Sequence, residues 1–157
     1  MSAIRDDLWV WGKDEMRPRL LHTMLRVRDL DKSLAFYRDA LGMKELTRFS
    51  NDAGRFTICF ISFDDYTTAA IELTHNWDKN DYQQGDAYGH VAIGVPDIAA
   101  ACARATDGGY EVTLRPKIMV EGGPALAFVR DPDGYLIELI QTNSAIGHFA
   151  APADRAK

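Results

Sequence analysis

Two stretches of alternating apolar and polar positions each run into an aspartate and then into a segment of helical period. Residues 20–27, LLHTMLRV, lead to Asp29 and the run DKSLAFYRDALG, with apolar positions at Leu30, Leu34, Phe36-Tyr37 and Leu41 and a glycine at 42. Residues 88–95, YGHVAIGV, lead through Pro96 and Asp97 to IAAACARATDGG, with Ile98, Cys102 and Ala105 on one stripe. Alternation predicts a half-buried strand, and the near i, i+4, i+7 spacing predicts an amphipathic helix. An aspartate before the helix and a glycine after it are natural start and stop signals.

Three strand-like segments follow each helix. In the first half they are 43–49, 56–64 and 69–75, separated by Asn51-Asp52-Ala53-Gly54 and by Asp64-Asp65. In the second they are about 111–114, 125–130 and 136–141, the last two joined by Asp131-Pro132-Asp133-Gly134. In that turn proline presets φ and glycine accepts a positive φ. The order is therefore βαβββ twice, an α+β fold of paired modules. The repeat has a constant register: one and the same offset carries Val27 to Val95, Asp29 to Asp97 and His22 to His90. The expected organisation is an N-terminal extension (1–19), a first module (20–76), a polar linker (77–87), a second module (88–142) and a tail (143–157).

Composition narrows the function classes. At 157 residues, 46% hydrophobic and 26% charged, the chain supports a real core. A formal charge of −5 argues against nucleic acid or an anionic membrane as partner. A small anionic substrate then needs a few locally placed basic residues. No apolar run reaches the ~18 residues that span a bilayer. The N-terminal extension, with its scattered charges, lacks the apolar stretch of a secretory signal. Cys59 and Cys102, each in an apolar segment, read as buried reduced thiols. A reducing cytoplasm is the expected location. Trp9, Val10 and Trp11 form a small apolar knot expected to pack on the body or on a partner subunit.

The chemistry lies in the repeat. His22 and His90 occupy equivalent places on equivalent strands. Glu72, in AAIELTH, and Glu138, in YLIELIQ, lie within the last strand of each half, at nearly the histidine offset. A carboxylate between two apolar neighbours is costly unless it is paired, hydrogen-bonded or metal-bound. Two imidazoles and two carboxylates form a borderline-hard set suited to Ni²⁺, Co²⁺, Zn²⁺ or Mn²⁺. His75 and His148 fall outside this symmetry and read as surface or supporting residues.

LLHTMLRV (20–27), SLAFYRDALGM (33–43), IELTHNW (71–77), AYGHVAIGV (87–95) and AFVRDPDGYLIELI (127–140) together resemble bacterial glyoxalase I, of the vicinal-oxygen-chelate superfamily. The resemblance covers about residues 20–142 and implies paired βαβββ modules forming barrel-like sheets. It implies a homodimer whose metal sites form between subunits, His22 and Glu72 from one chain and His90 and Glu138 from the other. The repeat alone leaves a site closed within one chain equally open. The implied reaction isomerises the methylglyoxal–glutathione hemithioacetal to S-D-lactoylglutathione through an enediolate. In it the metal acts as a Lewis acid and a carboxylate moves the proton from C1 to C2. Glu138 matches the family's base, Glu72 is the second catalytic carboxylate, and Arg26 and Asn76 match positions that hold the γ-glutamyl end.

One segment departs from the family pattern. Where the family carries a lysine beside a glycine pair, contacting the glycine carboxylate, this chain reads Val120-Glu121-Gly122-Gly123-Pro124. Lys117 or Arg115 then remains to meet that carboxylate, or the thiol differs. The short connector between Asn76 and His90 resembles that of Ni²⁺/Co²⁺-activated members, with Zn²⁺ the second choice. Two other functions fit the same fold: an extradiol dioxygenase-like enzyme, which needs two His and one Glu, and a non-catalytic small-molecule binder.

Overall fold

The computed structural model describes residues 18, 20–63 and 69–144. The Trp9–Trp11 knot, the Asp64-Asp65 turn and His148 lie outside them. The chain divides into two compact units, Met1–Gln84 and Gly85–Lys157.

In the first unit β1 (His22–Arg26) is followed by helix α1 (Leu30–Ala35), then β2 (Lys44–Asn51), β3 (Phe56–Ser62) and β4 (Ala70–Asn76). The sheet order is β1-β4-β3-β2, with β1 and β4 parallel and the other neighbours antiparallel. In the second unit β5 (Val91–Val95) and helix α2 (Ile98–Asp107) precede β6 (Val112–Ile118), β7 (Ala125–Arg130) and β8 (Leu136–Gln141). Its order is β5-β8-β7-β6, again with the first and last strands parallel. The α+β repeat expected from the pattern is present in both units.

Both helices start as the aspartates predict. Asp29, extended at φ −141°, accepts from the Lys32 N–H at 3.1 Å, and Asp97 accepts from the Ala100 N–H at 2.9 Å. These bonds satisfy backbone donors that a helix start leaves without partners. Each helix covers one face of its sheet. In unit 1 Leu34, Phe36 and Tyr37 are buried with Leu25, Cys59, Ile61, Ile71 and Leu73. In unit 2 Ile98, Ala101 and Ala105 are buried with Ile93, Val129, Ile137 and Leu139. Alternation along the strands sends the remaining set, including both glutamates, to the opposite face.

Three details differ from the sequence expectation. The first helix does not run unbroken to Gly42: from Phe36 to Ala40 it widens into a π-turn, with Phe36 and Tyr37 edge-to-face at 4.9 Å and both fully buried. It then ends at Gly42, φ +82°, as the glycine predicts. The β2–β3 turn extends one residue beyond Asn51–Gly54, to Arg55, which takes a left-handed conformation at φ +52°. A Cβ at Gly54 would stand 2.5 Å from the Phe56 ring, which would have to shift to admit it. Finally, β6 runs to Ile118 instead of stopping near 114. Pro116 argues against a strand in sequence, but β6 is an edge strand with two register irregularities, where a missing N–H is tolerated.

The Asp131–Gly134 turn forms as expected. Gly134 has φ +90°, and its N–H donates to the Asp131 carbonyl at 3.0 Å. Asp131 is buried, and its Oδ1 accepts from the N–H groups of Asp133 (2.9 Å) and Tyr135 (2.8 Å).

Candidate metal-binding site

In unit 1 the ladder pairs Met24 with Glu72 and Glu72 with Phe60. In unit 2 it pairs Ala92 with Glu138 and Glu138 with Phe128. Directly opposed residues share a face, so each glutamate lies on the face its helix does not cover. His22, two positions before Met24, and His90, two before Ala92, approach their glutamates along the same diagonal. His22 Nε2 lies 3.1 Å from Glu72 Oε2, and His90 Nε2 lies 3.1 Å from Glu138 Oε2. The sequence offsets thus translate into two copies of one His–Glu pair.

Each imidazole is also met by an aromatic edge. The Phe60 ring stands 5.3 Å from that of His22 at 74°, and the Phe128 ring 5.5 Å from that of His90 at 71°. Such T-shaped contacts hold a ring plane without a hydrogen bond. That matters for His22, whose Nδ1 is buried with no hydrogen-bond partner among the described residues. Phe60 and Phe128 stand at the same offset from each other as His22 and His90. The repeat therefore contained the signal that finds them.

The donor set fits a divalent metal. Two donors bound to one ion at about 2.1 Å in neighbouring octahedral positions stand about 3.0 Å apart. Both Nε2–Oε2 separations match that spacing. Among the described residues, however, no group of three or more His, Cys, Asp or Glu comes together. Each unit by itself brings together one pair.

Around these pairs the two halves diverge. Arg26 is exposed and pairs in register with Thr74, whereas Gly94 stands at the matching place opposite Ile140. Arg26 shares its alternation face with His22. Asn76, half-buried at the end of β4, donates through Nδ2 to the Tyr82 hydroxyl at 2.8 Å. The chain beyond it is fastened to the β2–β3 turn and the start of β3: Trp77 Nε1 donates to Thr57 Oγ1 at 3.0 Å, and Arg55 pairs with Asp78. The Arg55 guanidinium holds the Asp78 carboxyl below the usual aspartate range. Tyr88 leads into His90 and donates its hydroxyl to the Leu136 carbonyl at 3.1 Å, with burial pushing its pKa up to about 12.

Arg115 and Lys117 separate clearly. Arg115 lines a groove with Cys102, Ala103 and Thr106 of α2. Lys117 pairs with Leu126, which pairs with Ile140, on the Glu138 face of the sheet. Glu138 itself lines an apolar cavity of about 410 Å³ with Met119, Val120, Pro124, Leu126 and Ile140. His75, on the helix side of β4, lies with Nδ1 3.3 Å from the Val27 carbonyl.

Residues 19–139 match the model of the Glyoxalase/Bleomycin resistance protein/Dioxygenase superfamily. A lactoylglutathione lyase of Neisseria meningitidis is 50% identical over 127 residues, covering 80% of this chain and 92% of that protein. One from Haemophilus influenzae is 47% identical over 127 residues, 80% of this chain and 94% of that protein. Among solved structures, glyoxalase I of Zea mays aligns with a TM-score of 0.75 at 35% identity, over 78% of this chain and 44% of the maize chain. The trypanothione-dependent glyoxalase I of Leishmania major aligns at 0.71 and 36% identity, over 82% of this chain and 89% of that one. By these matches the chain belongs to the glyoxalase superfamily and, within it, to the lactoylglutathione lyase (glyoxalase I) family.

Proposed function

We propose that this chain is a lactoylglutathione lyase that isomerises the methylglyoxal–glutathione hemithioacetal with one divalent metal ion per site. The observation that carries this is the duplicated His–Glu pair, with the same diagonal geometry and 3.1 Å donor spacing in both units. The metal is held by His22 and Glu72 of one protomer with His90 and Glu138 of the partner subunit. Two donors per unit require two units to complete the site, and the family resemblance favours units of different subunits over units of one chain. Ni²⁺ or Co²⁺ is the favoured ion and Zn²⁺ the second, on the short connector between Asn76 and His90.

A bound divalent ion supplies Lewis acidity to the substrate's adjacent oxygens. Glu138 takes the proton from C1 and returns it to C2, as general base and then acid. Its carboxylate borders apolar walls formed by Leu126 and Ile140. Glu72 is the second carboxylate of the site. Arg26 and Asn76 hold the γ-glutamyl end, and Lys117 meets the glycine carboxylate. The register of Lys117 on the Glu138 face, against the α2 side for Arg115, favours lysine in that role. Two buried free cysteines suit a reducing compartment, the cytoplasm.

The test is thioester absorbance growth with methylglyoxal, glutathione and each of Ni²⁺, Co²⁺ and Zn²⁺. Activity with at least one ion is expected. No activity with any divalent ion, in protein shown to be folded, overturns the assignment.

A further inference from the structure

The two glutamates are equivalent in register but not in their surroundings. Thr74, two positions beyond Glu72 on the same face of β4, is buried, and its hydroxyl donates to Glu72 Oε1 at 2.9 Å. The two oxygens of Glu72 are thereby divided: Oε1 is held by Thr74, and Oε2 faces His22 Nε2. The matching place on β8, two positions beyond Glu138, is Ile140, which has no hydrogen-bonding group in its side chain. Glu138 instead borders the 410 Å³ apolar cavity.

We infer that Thr74 is a positioning residue whose hydroxyl restrains the Glu72 carboxylate, a restraint that Ile140 does not give Glu138. The inference rests on the proposed metal site. A carboxylate with one oxygen held by a hydroxyl keeps its other oxygen turned toward the imidazole. An apolar neighbour gives no such hold. Partners of this kind, one layer behind a metal ligand, typically change metal affinity about 10–100-fold when removed.

The experiment titrates Ni²⁺ into chelator-stripped full-length protein by calorimetry and measures kcat and KM for the reloaded enzyme. Thr74→Val, nearly isosteric, is expected to weaken Ni²⁺ binding about tenfold. Thr74→Ser, which restores the hydroxyl, should return it to within about threefold of the unaltered protein. Ile140→Thr, which gives Glu138 the missing anchor, is expected to lower kcat at least about fivefold while Ni²⁺ binding holds or tightens. Unaltered Ni²⁺ affinity in Thr74→Val, failure of serine to rescue it, or an unchanged kcat in Ile140→Thr each overturns the inference. Failure of the unaltered protein to bind any divalent ion would instead remove the metal reading, and this inference with it.

Discussion

Glu138 reaches its position because the Asp131–Gly134 turn reverses the chain into β8, and the turn depends on one buried side chain. Asp131 Oδ1 accepts two backbone N–H groups, from Asp133 and Tyr135, at 2.9 and 2.8 Å. Replacing Asp131 with alanine leaves both donors without that acceptor in a buried turn. Each orphaned buried group costs about 1–3 kcal/mol, so the pair costs about 3–4 kcal/mol together. Against a total stability of about 5–15 kcal/mol that is a large fraction. For a chain of this length it corresponds to a fall of about 10 °C in melting temperature, at about 3 °C per kcal/mol. Asp131→Asn keeps an acceptor for both N–H groups and exchanges the charge and the other oxygen for an NH2, so it should cost less than alanine, about 1 kcal/mol. Thermal and urea unfolding of both variants measures the difference. If Asp131→Ala melts within about 2 °C of the unaltered protein, or if asparagine is as damaging as alanine, those two hydrogen bonds do not hold the turn.

Glu138→Gln should abolish thioester formation while retaining part of the Ni²⁺ affinity, whereas His22→Ala should weaken Ni²⁺ binding itself; calorimetry and the absorbance assay separate the two outcomes. Burial, with the charge of Glu45 adding to it, pushes the Cys59 thiol up to about 12. Iodoacetamide at mildly alkaline pH should therefore leave Cys59 unmodified in native protein and label it in urea, as read by mass spectrometry. Asp29→Ala should cost about 1 kcal/mol through loss of the helix cap, measured as a lower urea midpoint at neutral pH. Its carboxyl is held below the usual aspartate range, first by the Lys32 backbone N–H. The cap's charge-dependent contribution is therefore complete above the ordinary aspartate pKa and fades as pH falls through the lowered native value. The deficit of the alanine variant should shrink in strong acid.

The repeat was legible because it rests on side chains whose cost is visible in one dimension: aspartate caps, glycine stops and glutamates between apolar neighbours. Those features lead directly to His22, Glu72, His90 and Glu138. Residues that break the symmetry were harder to find. Thr74 has an isoleucine as its counterpart, so no offset points to it, and its hydrogen bond to Glu72 is visible only in three dimensions. The π-turn at Phe36 is equally hidden, because two adjacent large aromatics satisfy an ordinary helical stripe as well as a widened one. The true end of β6 depends on its being an edge strand. That is a property of the sheet order, which Pro116 alone does not announce.

Within each unit the histidine lies at the first strand and the glutamate in the last, joined by a parallel pairing of segments far apart in the chain (His22 with Ala70, Val91 with Ile137). Bringing such distant segments together carries the largest loop-closure entropy in the unit, whereas the antiparallel pairs β2–β3 and β3–β4 close much shorter loops. The His–Glu pair therefore exists only once the whole unit has closed. A nascent or partly folded chain offers isolated imidazoles and carboxylates, without the paired geometry that suits a metal. At the proposed metal site, capture by both donors of a pair would therefore follow the closure of the first strand on the last.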